Sequence, residues 1–409
     1  MRNAQKLGER TGIKSHKMGK SMNIIVLGDL CLCGDVERNV LNNPQYDPFD
    51  GIRHLLGEDD LLVANIECAT SSLGEPKVKY ATLRADPGVV ERLDRLDVGV
   101  LGNNHIGDFG DEAAQDTRQT LERAGIATVG WGSSLFEAIR PNIIERGGVR
   151  IGFLAFSCLS TNSRNYATPD SPGVAPISTK LLHQTILRAK PSCDVLVIYL
   201  HWGNEYEHEP VVDQLRVARR AIDWGADIVV GCHAHVIQTY EQYEGRWIFY
   251  GLGNFLFPDV RWQKNLVDGR VESGIETHLV KPETRESLAI KFAIRATGGG
   301  PTVELASIKL LAFGEDFVPR PVSMDALSFD LDALNCRMAK YVRRYQLKLK
   351  GDKEIKYQTW YDGYYFCHWY LLPPFHKDVT VKKTLRRMIQ VILRYIRRIL
   401  RTFCKVLQR

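Results

Sequence analysis

Residues 194–235 read DVLVIYLHWGNEYEHEPVVDQLRVARRAIDWGADIVVGCHAH. Asp194–Leu200 is a short run rich in Val, Ile and Leu, as a buried strand requires. Val211–Trp224 carries its apolar residues at helical spacing, and Asp227–Val230 is a second apolar run. Strand, helix and strand in that order predict a parallel pair joined by a crossover helix. Both runs end abruptly in polar clusters, His201-Trp202-Gly203-Asn204-Glu205 and Gly231-Cys232-His233-Ala234-His235.

The same pattern extends in both directions. Asn23–Leu27 opens into Gly28-Asp29, and Leu61–Ala64 into Asn65-Ile66-Glu67. Val98–Leu101 opens into Gly102-Asn103-Asn104-His105-Ile106-Gly107-Asp108, and Trp247–Tyr250 into Gly251-Leu252-Gly253-Asn254. Ile151–Phe156 is a further apolar run, and Pro87–Leu96 and Ala113–Ala124 read as amphipathic helices. The alternation predicts an α/β domain with a largely parallel sheet covered by helices. Ser287–Ile294 and Thr302–Phe313 alternate better and read as strands closing the same domain.

Ligands of open α/β sheets bind just outside the carboxyl ends of the strands, so these six polar clusters are expected to converge. Carboxylates, a carboxamide and imidazoles are the ligands of borderline-hard divalent metals such as Zn, Mn or Fe. Four of the eleven histidines, His105, His201, His233 and His235, fall in the clusters, and His208 is close by. A single histidine after a strand is ordinarily a structural hydrogen-bonding residue. Six clusters in one position would be six independent coincidences. Asp108 either partners a neighbouring histidine or caps a helix beginning at Asp111. Glu205 and His208 either face a substrate or simply face solvent.

The 409 residues are 44% hydrophobic and 25% charged, which excludes disordered, collagen-like and fibrous classes. Nine scattered cysteines without a CxxC exclude a secreted disulfide framework or zinc ribbon and fit a reducing compartment. There is no GxxxxGK[ST] phosphate loop. The net charge of +6 conceals an asymmetry: residues 381–409 hold ten Lys/Arg and no acid, the first 22 hold six against one Glu, and the body 23–380 is left at −9. The basic average therefore does not mark a nucleic-acid surface on the fold. The head 1–22 has no apolar stretch of signal-peptide length and reads as a disordered basic arm, and a cytoplasmic protein is expected.

In 381–409, VKKTLRRMIQVILRYIRRILRTFCKVLQR, the apolar residues again fall at helical spacing with the basic ones mostly opposite. A C-terminal basic amphipathic helix of this kind lies in the headgroup region of an anionic membrane, placing the protein peripherally at its surface. The alternative is docking on an acidic partner or on the acidic body. Nucleic acid is not expected, since no base-reading residues are interleaved. Residues 323–378, with nine aromatics between 357 and 375, read as an accessory segment packing on the main domain or a partner.

Gly28-Asp29, Asn65-Ile66-Glu67, Asn103-Asn104-His105, His201-Trp202-Gly203, His233-Ala234-His235 and Leu252-Gly253-Asn254-Phe255 together resemble the bacterial CapA family, in order, across roughly 23–320. That family is associated with poly-γ-glutamate capsule synthesis and is similar to the calcineurin-like metallophosphoesterases. The resemblance implies a metallophosphatase-like β-sandwich flanked by helices over 23–322, with two divalent metal ions. It implies Asp29 and His235 on the first metal, Glu67 bridging, and Asn104, His201 and His233 on the second. It implies His105 as a proton donor beside the scissile group; Asp108, read from its position alone, is a candidate catalytic partner. It further implies a metal-dependent hydrolase, acting on a phosphoester or an acidic polymer. The alternatives are a non-hydrolytic metal-binding component of a polymer synthesis or export complex, or amide chemistry on γ-linked glutamate. Two positions depart from the pattern: Cys31 stands where the phosphoesterases place a metal-binding His, and residue 232 is also Cys.

Overall fold

In the strand Met22–Leu30 (β1), Ile24 and Val26 face one apolar cluster while Ile25 and Leu27 face another, and all four are buried. A strand buried on both faces lies between two covering layers. The computed structural model that reveals those layers describes residues 22–340, except 78, 80, 162–164, 264–274, 279–281 and 298–299.

The strands Leu61–Ile66 (β2), Val98–Val100 (β3) and Ala127–Val129 (β4) run parallel beside β1. A second sheet is built from Asn142–Arg146 (β5), Val149–Ser157 (β6), Val195–His201 (β7), Ile228–Cys232 (β8), Tyr240–Tyr243 (β9) and Arg246–Phe249 (β10), in the order β9-β10-β8-β7-β6-β5. Its central strands β6, β7, β8 and β10 are mutually parallel. The chain then returns to the first sheet through Asn254–Leu256 (β11), Glu286–Arg295 (β12), Thr302–Ala312 (β13) and Arg320–Val322 (β14). There β11 pairs parallel with the end of β1 on the edge away from β2, and on that same edge β12 pairs antiparallel with the start of β1 and leads on to β13 and β14.

The two sheets pack face to face. Ile24, Val26, Val63, Val98 and Ile290 of the first meet Ile151, Phe153, Val197, Tyr199 and Val230 of the second in one buried cluster. The outer face of the first sheet is covered by the helix Gly34–Asn42 (α1), through Val36 and Val40, and by Asp111–Arg123 (α2), through Ala114 and Leu121. Thr179–Ala189 (α3) and Val212–Asp223 (α4) pack on each other, and α4 lies on β8 and β10. The result is a sandwich of two mixed sheets flanked by helices.

Two readings from apolar patterning need correction. The single, largely parallel sheet is instead two sheets, each parallel at its centre and antiparallel at its margins. A run buried on both faces looks the same whether a helix or another sheet covers it, so periodicity alone cannot separate the two. Pro87–Leu96 is a short 3₁₀ helix, Pro87–Arg92, whose start is capped by Asp86 Oδ1 accepting from the Gly88 N–H at 2.8 Å. Its Pro-Gly-Val-Val composition suits a tight turn better than a sustained α-helix. Residues 331–340 are helical, bury Leu331, Leu334 and Met338, and tie to β9 where the Tyr240 N–H donates to Asn335 Oδ1 at 3.1 Å. The basic arm up to residue 21, the aromatic stretch 357–375 and the basic tail 381–409 lie outside the described residues. Among the described residues no helix is long and apolar enough to cross a membrane.

Candidate metal centre

The carboxyl ends of β1, β2 and β3 in one sheet and of β7 and β8 in the other meet at one edge of the sandwich. Asp29 reaches it through a bulge: the β1–β2 register shifts between Val26 and Asp29. Bulges of this kind re-aim a side chain beside a site. The bulge needs Gly28, because a Cβ there would meet the Gly253 carbonyl oxygen at 1.9 Å. Glu67 follows β2, Asn103, Asn104 and His105 follow β3, and His201 is the last residue of β7. His233 and His235 lie just past β8 with positive φ, 91° and 57°. Non-glycine residues hold that conformation only where their surroundings enforce it. Part of the enforcement is visible, as the His233 N–H donates to Asp29 Oδ2 at 3.1 Å.

All eight residues expected at the site are brought to this edge, and all are buried. Three sets of donor atoms lie together: Asp29, Glu67 and His235; Glu67, His201 and His233; and Glu205, His233 and His235. Glu67 Oε1 is the shared atom of the first two sets, 3.6 Å from both His201 Nε2 and His235 Nε2. Asn104 Oδ1 joins the second at 2.8 Å from His201 Nε2. Glu205, half exposed, stands 4.0 Å from His233 Nε2.

A supporting layer orients these groups. Asn65 Nδ2 donates to Asp29 Oδ1 at 2.8 Å and to Glu67 Oε2 at 3.1 Å. Asn103 in turn donates to Asn65 Oδ1 at 3.1 Å and to the Ile66 carbonyl at 2.7 Å. Asn254 donates to the Thr284 carbonyl, which leaves its Oδ1 to accept from His235 Nδ1 at 2.9 Å. That contact fixes the tautomer of His235 with its Nε2 lone pair toward Glu67. Asp108 Oδ2 holds His105 Nδ1 at 2.7 Å, and no side chain caps α2, whose preceding residue is Gly110. Lys79, which patterning did not single out, donates to Asp108 Oδ1 at 2.6 Å and to the Asn104 carbonyl at 2.7 Å. It lies outside the regular strands and helices, so no periodicity could have flagged it.

The electrostatics are those of a cation site with its donors in place. Burial, with the Asp29 carboxylate beside it, pushes the Glu67 carboxyl well above the usual range. Burial and the neighbouring imidazoles hold His201 and His233 well below theirs, so both are neutral bases at pH 7. Burial, then the Lys79 cation, lowers His105, with Asp108 opposing. Glu67 Oε1, His201 Nδ1 and His233 Nδ1 are buried with no hydrogen-bond partner. The orphaned Glu67 Oε1, beside His201 Nε2 and His235 Nε2 in an oxygen and nitrogen donor set, fits a divalent metal such as Zn²⁺ or Mn²⁺. The two cysteine departures resolve differently. Cys31 packs away from the set, its Sγ 3.3 Å from Cys33 Sγ, and burial raises its thiol. Cys232 abuts Asp29, and burial with the Asp29 and Glu67 charges keeps it a thiol. Trp202 donates to the Tyr250 carbonyl at 3.0 Å, and His208 to that of Ile237 at 2.8 Å.

The family described as bacterial capsule synthesis protein PGA_cap matches residues 23–259, which spans every site residue named above. The chain is 29% identical over 307 residues to the PGA biosynthesis protein CapA of Bacillus subtilis, covering 74% of each. It is 30% identical over 263 residues to the capsule biosynthesis protein CapA of Bacillus anthracis, covering 61% of this chain and 62% of that one. Among solved structures, the calcineurin-like phosphoesterase YfkN of Bacillus subtilis overlaps 79% of this chain and 99% of that one, at 14% identity and a TM-score of 0.41. With residues 23–259, more than half its length, matched by the family, the chain belongs to the bacterial capsule synthesis protein PGA_cap family.

Proposed function

We propose that this protein is a metal-dependent hydrolase acting on a phosphoester in the metabolism of a capsule or poly-γ-glutamate-type polymer. The observation that carries the reading is Glu67 Oε1, a buried acceptor without a partner that two overlapping donor sets share. Asp29, Glu67 and His235 would hold a first divalent ion, and Glu67, Asn104, His201 and His233 a second. Two ions so held would supply Lewis-acid stabilisation of phosphoryl oxygens and a hydroxide nucleophile near neutral pH. The protein's own part is positional. Asn65 and Asn103 fix the two carboxylates, Asn254 fixes the tautomer of His235, and Asp108 holds the Nδ1 proton of His105, so that its other ring nitrogen can accept a proton from the attacking water and then pass it to a leaving oxygen. The basic tail 381–409 holds the protein at an anionic membrane surface or to polymer-synthesis partners.

One observation favours a second reading, a metal-binding but non-hydrolytic member of a polymer synthesis complex. Cys31 faces away and leaves the first site with three protein ligands. Elemental analysis of the purified protein, followed by turnover of p-nitrophenyl phosphate and bis(p-nitrophenyl) phosphate, separates the two. About two transition metals per chain with turnover supports the hydrolase. Bound metal without turnover on any phosphoester supports the second reading, and no metal after reconstitution sinks both.

A further inference from the structure

We propose that Lys79 is a positioning residue of this centre, its ammonium clamping the Asn104 backbone and the Asp108–His105 arm into one unit. The proposal deepens the metal-centre reading and rests on it for its consequence, though its geometry does not depend on an ion. Lysine is almost never fully buried unless paired. Lys79 is 5% exposed, and its ammonium donates to Asp108 Oδ1 at 2.6 Å and to the Asn104 carbonyl at 2.7 Å. It therefore joins a candidate metal ligand to the residue that orients the candidate proton donor.

The surrounding hydrogen bonds make Asp108 the hub. Its Oδ2 accepts from the Leu83 N–H at 2.8 Å and from His105 Nδ1 at 2.7 Å, and its carbonyl accepts from the Lys77 N–H at 2.7 Å. The segment 77–83 is thus laced to the loop after β3 at three points, with Lys79 the only charged donor among them. A carboxylate with its other oxygen engaged by an ammonium can only accept at Oδ2, so the imidazole is constrained to carry its proton at Nδ1. The Asn104 carbonyl, pinned by the same ammonium, sets the backbone from which the Asn104 carboxamide reaches His201. Without Lys79, both the carbonyl and Asp108 Oδ1 are buried acceptors lacking a donor, and the loop rearranges to find one.

The test uses the metal-free protein first. Long-range proton–nitrogen correlation spectra of histidine-labelled protein report the tautomer of His105, assigned by its loss in His105→Gln. The wild type is expected as a single Nδ1–H form. Lys79→Met, which keeps the side-chain length without the charge, is expected as a mixture of tautomers, and Lys79→Arg retains the wild-type form. Manganese titration by calorimetry then reads the consequence. Lys79→Met weakens one of two equivalents about 10- to 100-fold with stoichiometry unchanged, the usual effect of losing an outer-shell partner. A wild-type tautomer and a superimposable isotherm in Lys79→Met overturn the proposal. If Lys79→Met fails to fold, Asp108→Asn decides, since an unaltered His105 tautomer there rules out the arm. A wild type that binds no manganese refutes the metal-centre reading, while the tautomer spectra still decide the role of Lys79.

Discussion

Replacing Glu67 by Gln should stabilise the metal-free protein while abolishing its response to metal. Glu67 is fully buried, and its carboxyl is pushed well above the usual range by burial and by Asp29. The folded state therefore keeps a proton that the unfolded state releases above about pH 4.5. A group raised on folding contributes stability that is present at low pH and lost as pH rises toward its folded value. The loss is about 1.4 kcal/mol per pH unit while the folded carboxyl stays protonated. Glutamine loses nothing over that range. It can still accept from Asn65, as Glu67 Oε2 does at 3.1 Å, and its amide takes the place of the unpartnered Oε1, 3.6 Å from the His201 and His235 nitrogens. With unfolding entropy of about 2 cal/mol/K per residue, 1.4 kcal/mol corresponds to about 2 °C in a unit of this size. Melting curves in chelator from pH 4.5 upward should show the variant ahead by a margin that widens by about 2 °C per unit until the folded carboxyl ionises. Added Mn²⁺ should raise the wild type and leave the variant unmoved, reversing their order. A margin that is independent of pH, or a variant that melts below the wild type without metal, would refute the account of Glu67 as a buried, protonated carboxyl awaiting a cation.

The double variant His233→Ala/His235→Ala removes a donor from every set and should lose all bound transition metal by elemental analysis. His201 and His233 are depressed on folding, so their share of stability is present above about pH 6.5 and is lost in acid, at up to about 1.4 kcal/mol per pH unit each. Chelator-treated protein should therefore lose denaturant resistance below pH 6.5, and a flat profile from pH 6.5 to 5 would contradict the burial of neutral imidazoles. Cys31→Ser should leave metal content unchanged while costing about 1–3 kcal/mol in urea melts, because a hydroxyl is buried among thiols. Loss of metal there would make Cys31 a ligand after all. Gly28→Ala places a methyl 1.9 Å from the Gly253 carbonyl oxygen and should abolish soluble expression. A well-behaved Gly28→Ala protein would mean that β1 and β11 do not approach as described.

The sequence by itself determined the strands and the chemical character of the edge they share. Runs such as Val195–Leu200 and Ile228–Val230 are too apolar and too short to be anything but buried strands, and each breaks at a polar residue. Buried strands end where the backbone leaves the core, so Asp29, Glu67, Asn104, His201, His233 and His235 were legible as one group. What covers those strands was not legible in their apolar pattern; the sandwich was implied only by the family resemblance. Burial on two faces is a local property, whereas pairing β1 with β12 across more than two hundred residues, and one sheet against another, depends on contacts that no short window contains. The same limit hid Lys79, whose partners Asn104 and Asp108 are 25 and 29 residues away in a segment without period. It also hid the direction of Cys31, one residue beyond a strand, where only the packing of Cys33 shows that the thiol turns from the metal ligands. Residue type and strand position specify which donors are available. Tertiary packing decides which of them face the centre, because a buried polar group settles wherever the fold provides its partner.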